Sequence, residues 1–236
     1  MKTWKKIVLG VSLISLFLGG GLVAWGYSQG GLTDLQNKTI SEQDYVKKEV
    51  KDFNKIDIKS SSYNVLIKNG DVDKATLSYY QKTKNPIDTS VKDGQLTIND
   101  NNSELDSTSN KHINFFGLKD LVRLSTLNKE VRNKTIVITL PKKQTIDFLK
   151  VDLATGNLDL SNSTIKQADI HLNVGDLTFT KMIVSNLKAN LDVGSVDSDH
   201  TLFTNSDLSI AMGDYSGDNL IFNGHNKLDV TSGDIE

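Results

Sequence analysis

The sequence has no cysteine, and it contains only two prolines and four histidines among 236 residues. Without cysteine the chain has no disulfide, no thiol chemistry and no lipid anchor attached through sulfur. The histidines are His112, His171, His200 and His225. The last three take different positions in the repeat described below, so they predict no shared metal site. The composition therefore indicates neither redox chemistry nor a histidine-based metal centre.

Sequence motifs of known catalytic sites are nearly absent. The chain has no HExxH, phosphate-loop or GxGxxG pattern, and its one GxSxG match, GYSQG at residues 26–30, directly follows a long apolar run and lacks the predicted strand and helix that flank a catalytic serine in that motif. Residues 151–236 contain no arginine, and no two carboxylates there stand out as an acid and base pair. We therefore expect a protein that is not an enzyme and that needs no cofactor. A polysaccharide-acting enzyme is the less favoured alternative.

Charge is spread unevenly along the chain, although the net charge is only −2. Residues 28–150 carry 20 basic and 16 acidic side chains, whereas residues 151–236 carry 4 lysines and 13 acids. Proteins that bind nucleic acid present basic faces to the phosphates. The acidic C-terminal part of this chain therefore argues against a nucleic-acid partner.

A long uncharged segment lies near the N-terminus. It runs from Ile7 to Tyr27 without a charged side chain, and Lys2, Lys5 and Lys6 precede it. A run of about 20 residues suits a helix that crosses a bilayer, and the lysines predict that the rest of the chain lies outside the cell. We expect residues 1–27 to be a single-pass membrane anchor. A cleaved signal peptide is the alternative, with Ala24 and Gly26 as small residues before the cut.

The polar segment that follows, residues 28–52, is expected to be a linker that holds the domain off the membrane. A short helix beginning at Ser41 is the alternative for part of it. From Phe53 onwards apolar residues alternate with polar ones, which is typical of half-buried strands. We expect residues 53–150 to form an N-terminal β cap over the open end of the next region.

A strict repeat follows in residues 151–236. Apolar side chains stand before and after a recurrent glycine in alternation with polar ones, and the glycine is followed by Asp, Asn or Ser. The glycines recur at a nearly constant spacing: Gly156, Gly175, Gly194, Gly213 and Gly233. Alternation around a turn residue indicates strand, turn and strand, and a fixed period of about 20 residues indicates a solenoid. We expect an all-β fold, a β-helix or β-solenoid with coils of about 19 residues. An antiparallel sandwich is the alternative.

The residues directly after the glycines would lie above one another in such a stack. They are Asn157, Asp176, Ser195, Asp214 and Asp234. Asp and Asn suit tight turns, which explains the column without a ligand. Carboxylate oxygens also bind Ca²⁺, so Asn157, Asp176, Asp214 and Asp234 form a weak candidate calcium column, interrupted by Ser195.

A loop insertion is expected over residues 99–133, and it contains an apolar cluster. Phe115, Phe116 and Leu118 lead that cluster. One interpretation is a short helix packed on the β-domain. The other is a contact for a membrane-embedded partner or the lipid surface, which basic neighbours would assist.

The segments FNKIDIKSSSYNVLI, DGQLTI and TIVITLPK, with the repeated TGNLDL, VGDLTF and SGDIE, resemble a known family. It is the bacterial putative-adhesin family of β-strand-repeat domains of unknown function, which includes the membrane-anchored protein of the Lia cell-envelope-stress operon. The resemblance covers residues 53–236. It implies a right-handed β-helix-like fold on the outer face of a Gram-positive type membrane, and it implies no established activity.

Two functional hypotheses follow. The first is a membrane-anchored extracytoplasmic binding or sensory-accessory module in cell-envelope stress, with a membrane protein or the cell wall as its partner. The second is a surface adhesin for carbohydrate or host protein, which a groove of exposed aromatic residues would favour. We expect the extracellular part to be monomeric, because acids near the last coil repel a second copy even though Leu220 and Phe222 should lie uncovered there.

Overall fold

A computed structural model describes residues 43–82, 86–100 and 134–236. The described chain is all-β, and its 21 strands form three sheets. Sheet A has the order β1-β4-β7-β3-β10-β13-β16-β19, sheet B β21-β18-β15-β12-β9-β2-β6-β5, and sheet C β20-β17-β14-β11-β8. The strands are β1 (Gln43–Glu49), β2 (Lys55–Ser60), β3 (Asn64–Gly70), β4 (Thr76–Lys82), β5 (Asp88–Lys92), β6 (Gln95–Asn99), β7 (Thr135–Pro141), β8 (Thr145–Ile146), β9 (Phe148–Thr155), β10 (Leu158–Ser161), β11 (Thr164–Ile165), β12 (Ala168–Val174), β13 (Leu177–Thr180), β14 (Ile183–Ser185), β15 (Leu187–Val193), β16 (Val196–Asp199), β17 (Leu202–Thr204), β18 (Asp207–Met212), β19 (Tyr215–Asp218), β20 (Ile221–Asn223) and β21 (Lys227–Val230).

The repeat region forms coils that stack in parallel register. Each coil runs through one strand of sheet B, one of sheet A and one of sheet C. Equivalent residues of adjacent coils are partners, so that Leu158 pairs with Leu177 and Leu177 with Val196. The repeat lengthens by a single residue at the last coil, where Asp207 pairs with Lys227. The predicted repeating β-solenoid is confirmed, and the antiparallel sandwich is excluded for this region.

Apolar side chains from all three sheets fill the interior of the coils. Stacking places equivalent residues of adjacent coils next to one another, so their side chains must fit together. Phe179 of sheet A is followed in the next coil by Ser198, and Phe203 of sheet C packs there. The rings of Phe179 and Phe203 meet edge to face with centroids 5.2 Å apart. The Phe203 ring therefore compensates for the small side chain of Ser198.

The N-terminal strands extend the stack and then change its pairing. β2 pairs in parallel with β9, and β3 with β10, so these two strands form one further coil. β5 pairs antiparallel with β6 through a tight turn at Asp93 and Gly94, both with positive φ. β1 pairs antiparallel with β4. The prediction of a linker or short helix over residues 28–52 is therefore wrong for β1, because the backbone of this polar segment completes the edge of sheet A.

Some sequence-based expectations fall outside the described residues. These are the anchor at residues 1–27 and the apolar cluster of Phe115, Phe116 and Leu118. Within residues 43–82, 86–100 and 134–236, no helix has the length and apolar character needed to span a bilayer. At the last coil Phe222 is 56% exposed, as expected, whereas Leu220 is partly buried against the core.

Candidate functional site

The column of residues after the glycines forms a hydrogen-bonded ladder, which we call the side-chain ladder. Its members are Asn64, Asn157, Asp176, Ser195, Asp214 and Asp234. In each step the backbone N–H of one coil donates to the side-chain oxygen of the coil before it. The distance is 3.0 Å from Asp176 N to Asn157 Oδ1 and 2.9 Å from Ser195 N to Asp176 Oδ1. The predicted stacking is therefore confirmed, and its purpose in the fold is to satisfy backbone donors at the corner.

The glycines at the same corner have a second role that the turn interpretation missed. Gly175, Gly194 and Gly213 have φ between +144° and +153°. A Cβ atom on Gly194 would lie 1.9 Å from the carbonyl oxygen of Gly175. Equivalent contacts occur along the stack, and Gly156 faces the carbonyl of Tyr63 in the same way. Glycine is therefore required both for its backbone conformation and because successive coils approach too closely for a side chain.

The side-chain ladder does not form a recognisable cation site. Its carboxylates Asp176 and Asp214 each use one oxygen to accept a backbone N–H. In the part of the chain that the structure describes, no group of three or more His, Cys, Asp or Glu residues is placed to hold a metal ion. His171 and His200 lie on different faces, and His200 Nδ1 contacts Asp199 Oδ1 at 2.6 Å.

One buried carboxyl group was not singled out from the sequence. Asp159 of β10 is 1% exposed, and neither of its carboxyl oxygens has a hydrogen-bond partner. Its partners across the strands, Leu66 and Thr178, are buried too. Burial raises the pKa of Asp159 to about 7, and Lys68 opposes that rise. Such a pKa suits acid–base chemistry, but a side chain so deeply buried cannot reach a substrate in this structure.

Asp159 carries only a faint signal in the sequence. It alternates with Leu158 and Leu160, which point into the core, so the pattern predicts an exposed position. Only the tertiary structure shields the outer face of sheet A at this point.

The three sheets differ in the chemistry of their outer faces. On sheet C, Ile183, Leu202 and Ile221 are partners in successive strands and point away from the core. Ile183 is 48% exposed and Ile221 is 57% exposed. We call these three residues the aliphatic row. On sheet A, Tyr45 is 55% exposed and its ring lies 4.8 Å from that of Tyr80.

Most aromatic residues of the repeats are unavailable for binding. Phe179, Phe203 and Tyr215 are buried in the core, and burial raises the pKa of Tyr215. All three belong to the same hydrophobic core as the aliphatic residues of the coils. The repeat region therefore offers no aromatic groove on its outer faces.

Comparison with known proteins identifies one family. A family model described as Toastrack DUF4097, a domain of unknown function, matches residues 53–236. No curated protein matches the chain. The residues of that match include the whole repeat region and the strands from β2 onwards.

Several solved structures are similar to this chain at low identity. A putative cell adhesion protein from Clostridium sporogenes is 13% identical, covers 83% of this chain and 100% of its own, and has a TM-score of 0.40. A putative adhesin from Bacteroides fragilis is 17% identical, with coverage of 82% and 97% and a TM-score of 0.36. A putative adhesin from Parabacteroides distasonis is 11% identical, with coverage of 84% and 98% and a TM-score of 0.28. Likenesses of this degree support no argument about function.

The family match agrees with the resemblance found in the sequence, since both begin at Phe53 and extend to the last repeat. It spans more than three quarters of the residues and includes every coil that the structure describes. The chain therefore belongs to the Toastrack DUF4097 family.

Proposed function

We propose that this chain is a membrane-anchored extracytoplasmic binding or sensory-accessory module that acts in cell-envelope stress, and that it catalyses no reaction. The observation that carries the proposal is the side-chain ladder. The repeated groups that could bind a cation, including Asp176 and Asp214, are engaged in holding successive coils together. What the solenoid offers to other molecules is therefore its outer faces, and an anchor at residues 1–27 would hold those faces next to the membrane.

The anchor is tested by cell fractionation and by the mass of the mature protein. We expect the full-length chain in the membrane fraction, resistant to extraction with high salt. A soluble protein that begins near Tyr27 would refute the anchor and favour a cleaved signal peptide.

The stress role is tested by transcription and by deletion of the gene. We expect transcript levels to rise severalfold when cells meet antibiotics that block cell-wall synthesis, and the deletion strain to change its response to them. Heat shock at matched growth inhibition serves as the control. Equal transcript levels under both treatments would contradict an envelope-specific role.

A surface adhesin is the second candidate, and one observation favours it. The exposed ring of Tyr45, which packs against Tyr80, offers an apolar surface of the kind on which a sugar ring can stack. Binding to a panel of immobilised polysaccharides should then fall at least tenfold in Tyr45→Ser. The variant Val193→Ser removes an exposed apolar side chain elsewhere and is the matched control.

The extracellular part is proposed to be monomeric at micromolar concentration. Asp218, Asp234 and Glu236 belong to the same end of the stack as the exposed Phe222, and their charges repel a second copy. The screening length falls from about 10 Å at 0.1 M salt to about 3 Å at 1 M, so association should appear only at high salt. Light scattering at both salt concentrations tests this, and a tight dimer at low salt would overturn it.

A further inference from the structure

The outer face of sheet C differs from those of sheets A and B in its charge. Residues 151–236 contain 13 acids, yet none lies in β11, β14, β17 or β20, or in the turns that flank these strands at 162–167, 181–186, 200–206 and 219–226. Two of the four lysines of this region, Lys166 and Lys181, do lie there. The three-sided coil thus places its negative charge on two faces and leaves the third free of carboxylates.

The groups at the margins of this face do not restore a strong negative charge. Asp147 follows β8 and is paired with Lys166, whose Nζ lies 2.7 Å from Asp147 Oδ1. That contact lowers the pKa of Asp147. Asp199 and Asp218 end strands of sheet A across the corner, and His200 contacts Asp199.

The same face carries the aliphatic row. Ile183 and Ile221 are about half exposed, and Leu202 lies between them in register. Ser185 and Thr204 lie beside the row on the same strands. An apolar centre with a rim of hydroxyl groups and lysines, and with a single lysine-paired carboxylate at its margin, is typical of a surface that meets another apolar phase.

The size of the row decides between the candidate occupants. A stable interface between two proteins engages about 20–30 residues on each side, whereas the five strands of sheet C contain only 2, 2, 3, 3 and 3 residues, and some of these point into the core. This face is therefore too small to hold a second copy or a partner protein from solution. A tether raises the effective concentration of a weak site to about the millimolar range, so a surface that is always nearby is the occupant that so small a row can hold.

We propose that the outer face of sheet C rests on the lipid bilayer, with the aliphatic row at the level of the headgroups. The proposal rests on the anchor of the proposed function, which keeps the solenoid beside the membrane. Lys181 faces anionic headgroups, Lys166 is already paired with Asp147, and the acids of sheets A and B point away from the membrane. The solenoid then lies on its side and presents its two acidic faces to the cell exterior.

The absence of cysteine gives a direct test, because each single-cysteine variant carries one label. The full chain is placed in nanodiscs of phosphatidylglycerol and phosphatidylcholine. A bimane label is attached to Ser185→Cys on sheet C, to His171→Cys on sheet B or to Ser216→Cys on sheet A. Quenching by a nitroxide on the lipid headgroup is expected to be at least twofold stronger at position 185 than at either other position. Equal quenching at all three positions, or weaker quenching at 185, would overturn the proposal.

Removal of the row separates lipid contact from simple proximity. In the Ser185→Cys background, the added pair Ile183→Ser and Ile221→Ser should abolish the excess quenching. The pair Val193→Ser and Met212→Ser removes two exposed apolar side chains outside sheet C and should leave it unchanged. Unchanged quenching in the first pair would refute a role for the row. A different outcome is that each disc contains two copies of the chain and that the label at position 185 is quenched neither from the lipid nor from the aqueous phase. In that case a second copy covers the face of sheet C, and the proposal is overturned.

Failure of the anchor is distinguishable in the same experiment. If the chain does not co-elute with the discs, the anchor is refuted, and the labels are read on the released chain with an excess of phosphatidylglycerol vesicles. Stronger quenching at position 185 would then support the surface independently of the anchor. Equal quenching on all faces would refute it.

Discussion

The regular coils of residues 151–236 and the coil formed by β2 and β3 reach the same geometry by different chemistry. In the regular coils a glycine and the side-chain ladder form the corner between sheets B and A. The β2–β3 coil contributes Asn64 to the ladder, but Ser60 to Ser62 take the place of the glycine at its corner. Ser60 Oγ accepts the N–H of Tyr63 at 3.1 Å, and Asp100 accepts hydrogen bonds from Ser60 and Ser61 at 3.2 and 3.0 Å.

The difference shows what the glycine is for. Gly156 packs on the carbonyl of Tyr63, so the β2–β3 coil can supply the receiving surface without a glycine of its own. A glycine is needed only where a coil must approach the coil before it. The burial of Tyr63 raises its pKa to about 12, and Asp100 and Tyr79 add to that rise. In the β2–β3 coil, a largely buried cluster of Ser60, Ser61 and Asp100 thus takes the place of the glycine that forms the corner of the regular coils.

The largest effect is expected for Gly194→Ala. The new methyl group would lie 1.9 Å from the carbonyl of Gly175 at a backbone φ of +146°. Both penalties act together, so the free energy of unfolding should fall by at least about 4 kcal/mol. Urea unfolding followed by circular dichroism measures it. Gly70→Ala is the control in the N-terminal region, because there φ is not positive and the new methyl would lie 2.7 Å from a side-chain methyl of Thr139, which can shift. This variant should cost about 1 kcal/mol.

The next effect concerns the buried carboxyl of Asp159. Its folded-state pKa of about 7 exceeds the ordinary 3.8, so between these values the folded state keeps a proton that the unfolded state has lost. The free energy of unfolding should therefore fall as the pH rises from 4 to 7, by about 2 to 4 kcal/mol. Asp159→Asn should remove that decline and be more stable than the wild type at pH 8.

The measurement is urea unfolding at pH 5 and pH 8 for both proteins. Asp192→Asn replaces an exposed carboxylate of sheet B and should follow the wild type at both pH values. If the wild type and Asp159→Asn changed in parallel between the two pH values, the burial of an ionisable Asp159 would be disproved.

A smaller effect is expected for the side-chain ladder. Asp176→Ala removes the acceptor of the Ser195 N–H and should cost about 1 kcal/mol. Asp176→Asn keeps an oxygen at that position, as Asn157 does one coil earlier, and should cost little.

Adding Ca²⁺ tests whether the ladder also binds a cation. If a calcium column existed, millimolar Ca²⁺ would raise the melting temperature of the wild type but not of Asp176→Asn, whereas the ladder alone predicts no shift in either.

The smallest effect concerns a row of alternating charges on the outer face of sheet B. Asp57, Lys150, Asp169, Lys188, Asp207 and Lys227 are partners in successive strands. If a coil skipped its neighbour and paired with the coil after it, residues of the same charge would face each other. The alternation therefore favours pairing between coils that are adjacent in the sequence. Lys188→Asp should cost about 0.5 to 1 kcal/mol at low salt and less at 1 M salt. Lys181→Asp lies outside the row and should lack that salt dependence.

Much of this architecture follows from the sequence alone. The nearly constant repeat length, the alternating apolar positions and the recurring glycine are local features, and stacking equivalent residues is the simplest way for each coil to bury its apolar edge. That reasoning predicted the coils and the stacking of Asn157 on Asp176. The sequence pattern does not distinguish a glycine required by a turn from a glycine required by the close approach of two coils, because both requirements are met by the same residue type.

Tertiary structure decided the rest, since the deciding contacts join residues far apart in the chain. β1 is a strand because β4 offers it an open edge, although its own residues are polar and lack alternation. Asp159 is buried because the outer face of sheet A is covered there, which its neighbours in sequence do not reveal. Each repeat has a segment without acids, at 162–167, 181–186, 200–206 and 219–226, but these segments are gathered on one face, that of sheet C, only when the coil folds into three sides.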